Sequence, residues 1–162
     1  MKNLVLMRHA RTEHHNVGGD RARRLVPEGR AASVAAGREL AALGLQYALV
    51  STATRTRETF EALGLDIPAE FQDAIYEGGI DTVMQRISEM EEDISNLLVV
   101  GHSPVIPSLA AHLTFAKNPS EADQLQCHFP TSTYSVFQIH GKWADFAYDG
   151  DLDVTMTQIQ RP

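Results

Sequence analysis

The sequence predicts an α/β fold: a three-layer α/β/α sandwich around a mostly parallel central sheet, in a single domain spanning residues 1–162. Three observations carry that expectation. Short, bounded apolar runs, LVLM (4–7), LQYALVS (45–51) and NLLVVG (96–101), read as buried strands. Stretches of helical period separate them, and strands alternating with helices build a parallel sheet between helical layers. A chain of 162 residues, 43% hydrophobic and 22% charged, suits one packed core better than disorder.

The elements follow in chain order. After LVLM, the polar and Gly-rich residues from Thr12 to Arg24 read as a loop. VPEGRAASVAAGRELAAL (26–43) is helical, with Pro27 near its start and Gly44 beyond its end. TRTRETFEALG (54–64) is a helix closed by Gly64. FQDAIYEGG (71–79) reads as a short strand or loop, and IDTVMQRISEMEED (80–93) as an amphipathic helix. SPVIPSLAAHLTF (103–115) opens with Ser103 as N-cap and Pro104 in the first turn. TYSVFQIHGKWADFAYDG (133–150) holds two alternating runs around His140-Gly141-Lys142, a hairpin expected near the sheet edge. No repeat, low-complexity tract or linker interrupts the chain.

Charge narrows the function. The formal net charge is -7, which argues against nucleic acid as the main ligand, because phosphate backbones bind basic faces. An anion site must then be a local concentration of positive charge on an acidic body. The lone Cys127 excludes an internal disulfide and fits a reducing compartment. The first apolar run is too short for a signal peptide, and no segment approaches the ~20 apolar residues of a membrane span. A soluble, cytoplasmic protein is expected.

The strand tips carry the chemistry. LVLM ends in Arg8-His9, LQYALVS runs on to Arg55, and NLLVV ends in Gly101-His102-Ser103. In a parallel sheet these carboxyl ends share one edge, where open α/β folds bind ligands. Two arginines and two histidines gathered there would repel one another unless an anion lay between them. Phosphate fits, because the planar fork of Arg matches its oxygens.

These residues also carry a resemblance. Arg8-His9-Ala10, Ser51-x-x-x-Arg55-Thr56 and Gly101-His102-Ser103-Pro104 resemble the three signatures of the histidine phosphatase, or phosphoglycerate mutase-like, superfamily. Leu25-Val26-Pro27-Glu28-Gly29-Arg30 resembles the segment that opens its first helix. Ala10, where many members have Gly, and the compact length are similar to the short SixA-like branch, the phosphohistidine phosphatases. The resemblance implies hydrolysis of a phosphoryl group through a phosphohistidine on His9. A neutral imidazole is a competent nucleophile near pH 7, and the covalent intermediate splits one hard step into two. Arg8 and Arg55 would clamp the phosphoryl oxygens, and His102 would donate a hydrogen bond to them. Gly101 would let backbone approach the ligand, with Ser103 as a cap first and a substrate contact second. Glu77, before two glycines, is the candidate general acid for the leaving group.

Other residues read as structural. His14-His15 has no Cys or carboxylate at ligand spacing and reads as solvated loop rather than a metal site. Arg57 reads as a solvated helix residue, Arg11 as equally suited to surface or site, and His112 and His140 as structural. The implied catalysis needs no metal and no organic cofactor. The implied partner is a phosphorylated protein carrying phosphohistidine, or a small phosphate ester, with no nucleic acid and no membrane. A small-molecule phosphomonoesterase, a phosphoglycerate-type mutase and a non-catalytic phosphate-binding module are the competing functions.

Overall fold

Alternation along β1 (Lys2–Arg8) decides the layering. Successive strand side chains point to opposite faces, so Leu4 and Leu6 enter one apolar cluster while Val5 and Met7 enter another. All four are fully buried, so both faces of this strand are covered, the condition that a continuous apolar run implies.

The computed structural model describes residues 1–148 and 152–162. Its sheet runs β3-β2-β4-β1-β5-β6, with β2 (Tyr47–Ser51), β3 (Ala69–Gln72), β4 (Asn96–Gly101), β5 (Tyr134–Ile139) and β6 (Val154–Gln160). β1 pairs in parallel with β4, and β2 in parallel with both β4 and β3. β5 and β6 close the other side antiparallel. Helices α1 (Pro27–Leu40) and α2 (Thr54–Leu63) cover one face, with Ala36, Leu40 and Leu63 packed on Val5, Val50 and Leu98. Helices α4 (Ile80–Ser88), α5 (Val105–Phe115) and α6 (Pro119–Cys127) cover the other, bringing Ile87, Leu109 and Leu125 onto Leu6, Leu97 and Phe137. The expected mostly parallel α/β sandwich is the fold observed.

Four local expectations are corrected. Residues 71–79 divide between the end of β3 and a short helix, α3 (Asp73–Glu77), so Glu77 ends a helix and not a strand. The N-cap of α5 is Pro104, with no side-chain cap bond, so Ser103 does not cap it. The alternating run after Gly141 coils into a 3-10 turn, Trp143–Ala147, whose Trp143 and Phe146 are buried. The partner that β5 finds is β6, farther along the chain and on the sheet edge. Asp149 and Gly150, the last residues of the expected hairpin, lie outside the described residues. Helix α6 was not anticipated, although its signals are present: Asn118 accepts from the Glu121 N–H at 3.1 Å and Pro119 takes the first turn.

Candidate active site

The register of the parallel strands aligns their ends. Arg8 lies beside Gly101, and Val50, one residue before Ser51, lies beside Val100. The chain leaving β1 is then held on both sides: the His9 N–H donates to the Gly101 carbonyl and the Ser132 N–H to the His9 carbonyl, each at 3.0 Å. The next peptide is pinned by Thr59 of α2, whose hydroxyl accepts from Ala10 N–H at 3.0 Å and donates to the Arg55 carbonyl at 2.7 Å. One threonine thereby ties the segment bearing His9 to the turn bearing Arg55.

Arg8, His9, Arg55 and His102 line one pocket of about 300 Å³. The His9 and His102 rings lie 5.4 Å apart between centroids. His9 Nδ1 is 2.8 Å from the Ala10 carbonyl, which can only accept, so Nδ1 carries the ring proton and Nε2 a bare lone pair. Burial holds the His9 pKa down to about 3, with His102, Arg55 and Arg8 adding to the effect and the Ala10 bond opposing it. The imidazole is therefore neutral at physiological pH, as a nucleophile must be.

Both arginines show an unused donor. Arg8 Nη1 donates to the Phe129 carbonyl at 3.0 Å, and its Nε is buried with no partner. Arg55 donates through Nη1 to the Asp20 carbonyl at 2.9 Å and through Nη2 to Asp20 Oδ2 at 3.1 Å, again leaving Nε buried and unpaired. His102 is held to a pKa of about 4, first by burial and then by Arg55. Its Nε2 lies 2.6 Å from Ser51 Oγ, and its Nδ1 is also buried without a partner. Buried polar atoms are normally satisfied. Three nitrogens that are not, two of them arginine donors, stand on residues lining one pocket, an arrangement suited to an anion.

The remaining expected residues are placed less uniformly. Ser103, Arg11 and His14 line the same pocket. Glu77 does not: its side chain is 71% exposed and sits 3.6 Å from Arg21 Nη2. Packing also bears on Gly101: a Cβ there would come within 2.9 Å of the Ile106 side chain, which would have to shift. Arg57 is an exposed helix residue, its guanidinium over the Phe71 ring. Among the described residues no three His, Cys, Asp or Glu side chains gather into a metal-binding group. A larger hollow, of about 510 Å³, opens between α5 and α6, but Leu113, Phe115 and Ala116 help line it and it holds neither arginine nor histidine pair.

Sequence reasoning missed Asp20. Its Oδ2 accepts from Tyr76 at 2.6 Å as well as from Arg55, and the Tyr76 bond, with Arg55 behind it, holds the carboxyl down to about 2. The available signal was an acid after Gly18-Gly19, in the loop leaving the tip of β1.

Residues 4–93 match the sequence profile of the histidine phosphatase superfamily (branch 1), more than half of the chain. The chain belongs to the histidine phosphatase superfamily. This histidine phosphatase is 36% identical over 143 residues to an uncharacterized protein of Mycobacterium tuberculosis, covering 86% of the chain and 90% of that relative. It superposes with a TM-score of 0.89 and 33% identity on the structure assigned to phosphohistidine phosphatase SixA from Nakamurella multipartitia, over 99% of this chain and 96% of that one. The protein histidine phosphatase SixA complexed with tungstate shares the fold at a TM-score of 0.78 and 21% identity, over 97% and 95% of the two chains. No helix among the described residues is long and apolar enough to cross a membrane.

Proposed function

We propose that this histidine phosphatase hydrolyses phosphohistidine on a protein in the cytoplasm, through a phosphohistidine formed on its own His9. The observation that carries the proposal is the bare Nε2 of a neutral, buried His9 in a pocket walled by Arg8, Arg55 and His102. His9 Nε2 attacks phosphorus while the bond to the substrate imidazole breaks, and that imidazole leaves as the neutral ring because its proton is already in place. Water then attacks the phosphorylated His9, yielding inorganic phosphate and restoring the imidazole. The guanidinium groups of Arg8 and Arg55 offset charge on the equatorial oxygens in both steps.

A nitrogen leaving group suits this site. The exposed Glu77 does not line the pocket, and a protonated imidazole needs no such acid. The likeness to a SixA structure at 33% identity supports the same substrate class. The test compares phosphate release from a phosphohistidine protein, a panel of sugar phosphates and 3-phosphoglycerate, with quenched trapping of the acid-labile phosphoenzyme. The phosphohistidine protein should give the highest kcat/KM, and His9→Ala should abolish both turnover and trapping. Preference for sugar phosphates would replace the substrate, and a phosphoenzyme surviving in His9→Ala would overturn the nucleophile.

A further inference from the structure

Ser51 ends β2 fully buried, with its hydroxyl against the second pocket histidine. We propose that Ser51 is a positioning residue that fixes the tautomer of His102, placing the ring proton on Nδ1 so that a neutral imidazole donates to the phosphoryl group. This inference rests on the phosphoryl-binding role proposed above for the pocket.

A hydroxyl has one proton to give. Ser51 Oγ accepts the Ala53 N–H at 3.3 Å, and the acceptor it meets among the described residues is His102 Nε2, at 2.6 Å. Were Nε2 protonated, it would donate to Ser51 Oγ, and the hydroxyl's own proton would turn away from that contact into the protein interior, with no acceptor among the described residues. Burying a donor without an acceptor is costly, so the hydroxyl donates and Nε2 accepts. The single proton of the neutral ring then sits on Nδ1.

A second, independent observation agrees. His102 Nδ1 is buried and unpartnered, as are Nε of Arg8 and Nε of Arg55. Two of these three atoms are donors by chemistry. The third becomes one only in the tautomer that Ser51 selects, and three residues lining one pocket then each carry an N–H without a protein partner. The arrangement also answers an electrostatic difficulty. Before an anion binds, burial and Arg55 keep His102 from charging near neutral pH, so the ring that meets the phosphoryl group is a neutral donor. A neutral ring with its tautomer set by a serine supplies the donor without adding a further cation to a pocket already lined by Arg8, Arg11, Arg23 and Arg55.

The test is nitrogen-15 NMR of the labelled full-length protein near pH 7. His102 is assigned by the signals lost in His102→Asn. Wild type should show a pyrrole-type Nδ1 and a pyridine-type Nε2 at His102, and orthovanadate should perturb Nδ1 more than Nε2. The reverse pattern in wild type would overturn the proposal with no variant needed. In Ser51→Ala the proton should migrate to Nε2, and kcat should fall by about 10–100-fold with KM changed much less. Ser51→Thr, which keeps the hydroxyl, should retain the wild-type tautomer. A Ser51→Ala protein with an unchanged His102 pattern would overturn the role of Ser51. The tautomer is read without substrate, so Nδ1–H without turnover would refute the hydrolase proposal and leave the tautomer standing.

Discussion

Arg55 serves two partners with one guanidinium. Asp20 occupies its Nη1 and Nη2, which leaves Nε, buried and without a protein partner, on a residue that lines the pocket with Arg8. A planar fork fixed along one edge presents the other with little freedom left to lose. Asp20→Asn keeps the size of the side chain and removes the charge-assisted acceptor, so kcat/KM on a phosphohistidine protein should drop on the order of tenfold. Less than a twofold change, with vanadate affinity unaltered, would show that Arg55 orients itself. Glu77→Gln removes an exposed ion pair with Arg21, a contact of a kind worth ~0.2–1 kcal/mol. It should leave phosphohistidine turnover within a factor of about five. A larger fall would restore Glu77 to the chemistry. Arg8, His9, Arg55 and His102 were legible in sequence because each follows an apolar strand closely. Asp20 was not, and Ser51 was read as part of a motif without a role of its own, because their importance lies in contacts with residues 35 and 51 positions away.

Elements differ in how locally they are specified. Helix α2 ends at Gly64, whose φ of 68° is left-handed and cheap only for glycine. Helix α6 begins on the Asn118 side-chain cap. Asn118→Ala should lower unfolding free energy by about 1 kcal/mol, read by urea denaturation, with kcat unchanged. Gly101→Ala drives a methyl into Ile106 at the end of β4. It should cost ~1–3 kcal/mol by overpacking and reduce activity as well, since the Gly101 carbonyl holds the His9 N–H. Unaltered activity in a destabilised Gly101→Ala would separate packing from site geometry. The stretch after Gly141 shows the limit of periodicity. Its alternation suited a strand, yet burying Trp143, whose indole N–H reaches the Ile94 carbonyl at 2.6 Å, draws it into a turn.

The whole molecule stores an acid sensitivity at its candidate active site. His9 and His102 are depressed to about 3 and about 4 from an ordinary 6.5, so the folded state resists protons that the unfolded chain takes up. Their penalty is absent above pH ~6.5, grows as pH falls from there to about 4, and levels off below about 3, where the folded histidines also protonate. Together they set a loss on the order of a few kcal/mol. Asp20, held to about 2, and Glu58 and Glu92, held below their ordinary value, contribute stability that starts to be lost as pH falls below about 4.5 for the glutamates and about 3.8 for Asp20, overlapping the lower part of the histidine window. The Tm should therefore fall between pH 7 and pH 4.5. His102→Gln should flatten part of that decline, and saturating orthovanadate should offset it, because a bound anion stabilises the native state. A Tm constant across that window would contradict the burial of the two histidines.

Local pattern by itself determined the layered α/β class, the helix closed by Gly64, and the alignment of Arg8-His9, Arg55 and His102 on one sheet edge. Apolar runs and turn residues act through neighbours a few positions away, so they can be read in order along the chain. Tertiary structure alone decided that β5 pairs with β6, that Gly101 answers to Ile106, that Glu77 stands outside the pocket, and which nitrogens remain free. Those outcomes depend on which polar atoms distant segments bring within about 3 Å of one another, a distance set by hydrogen-bond geometry. The unpartnered buried nitrogens stand beside Nη1 of Arg8 held by Phe129, both terminal nitrogens of Arg55 held by Asp20, and Nε2 of His102 held against Ser51.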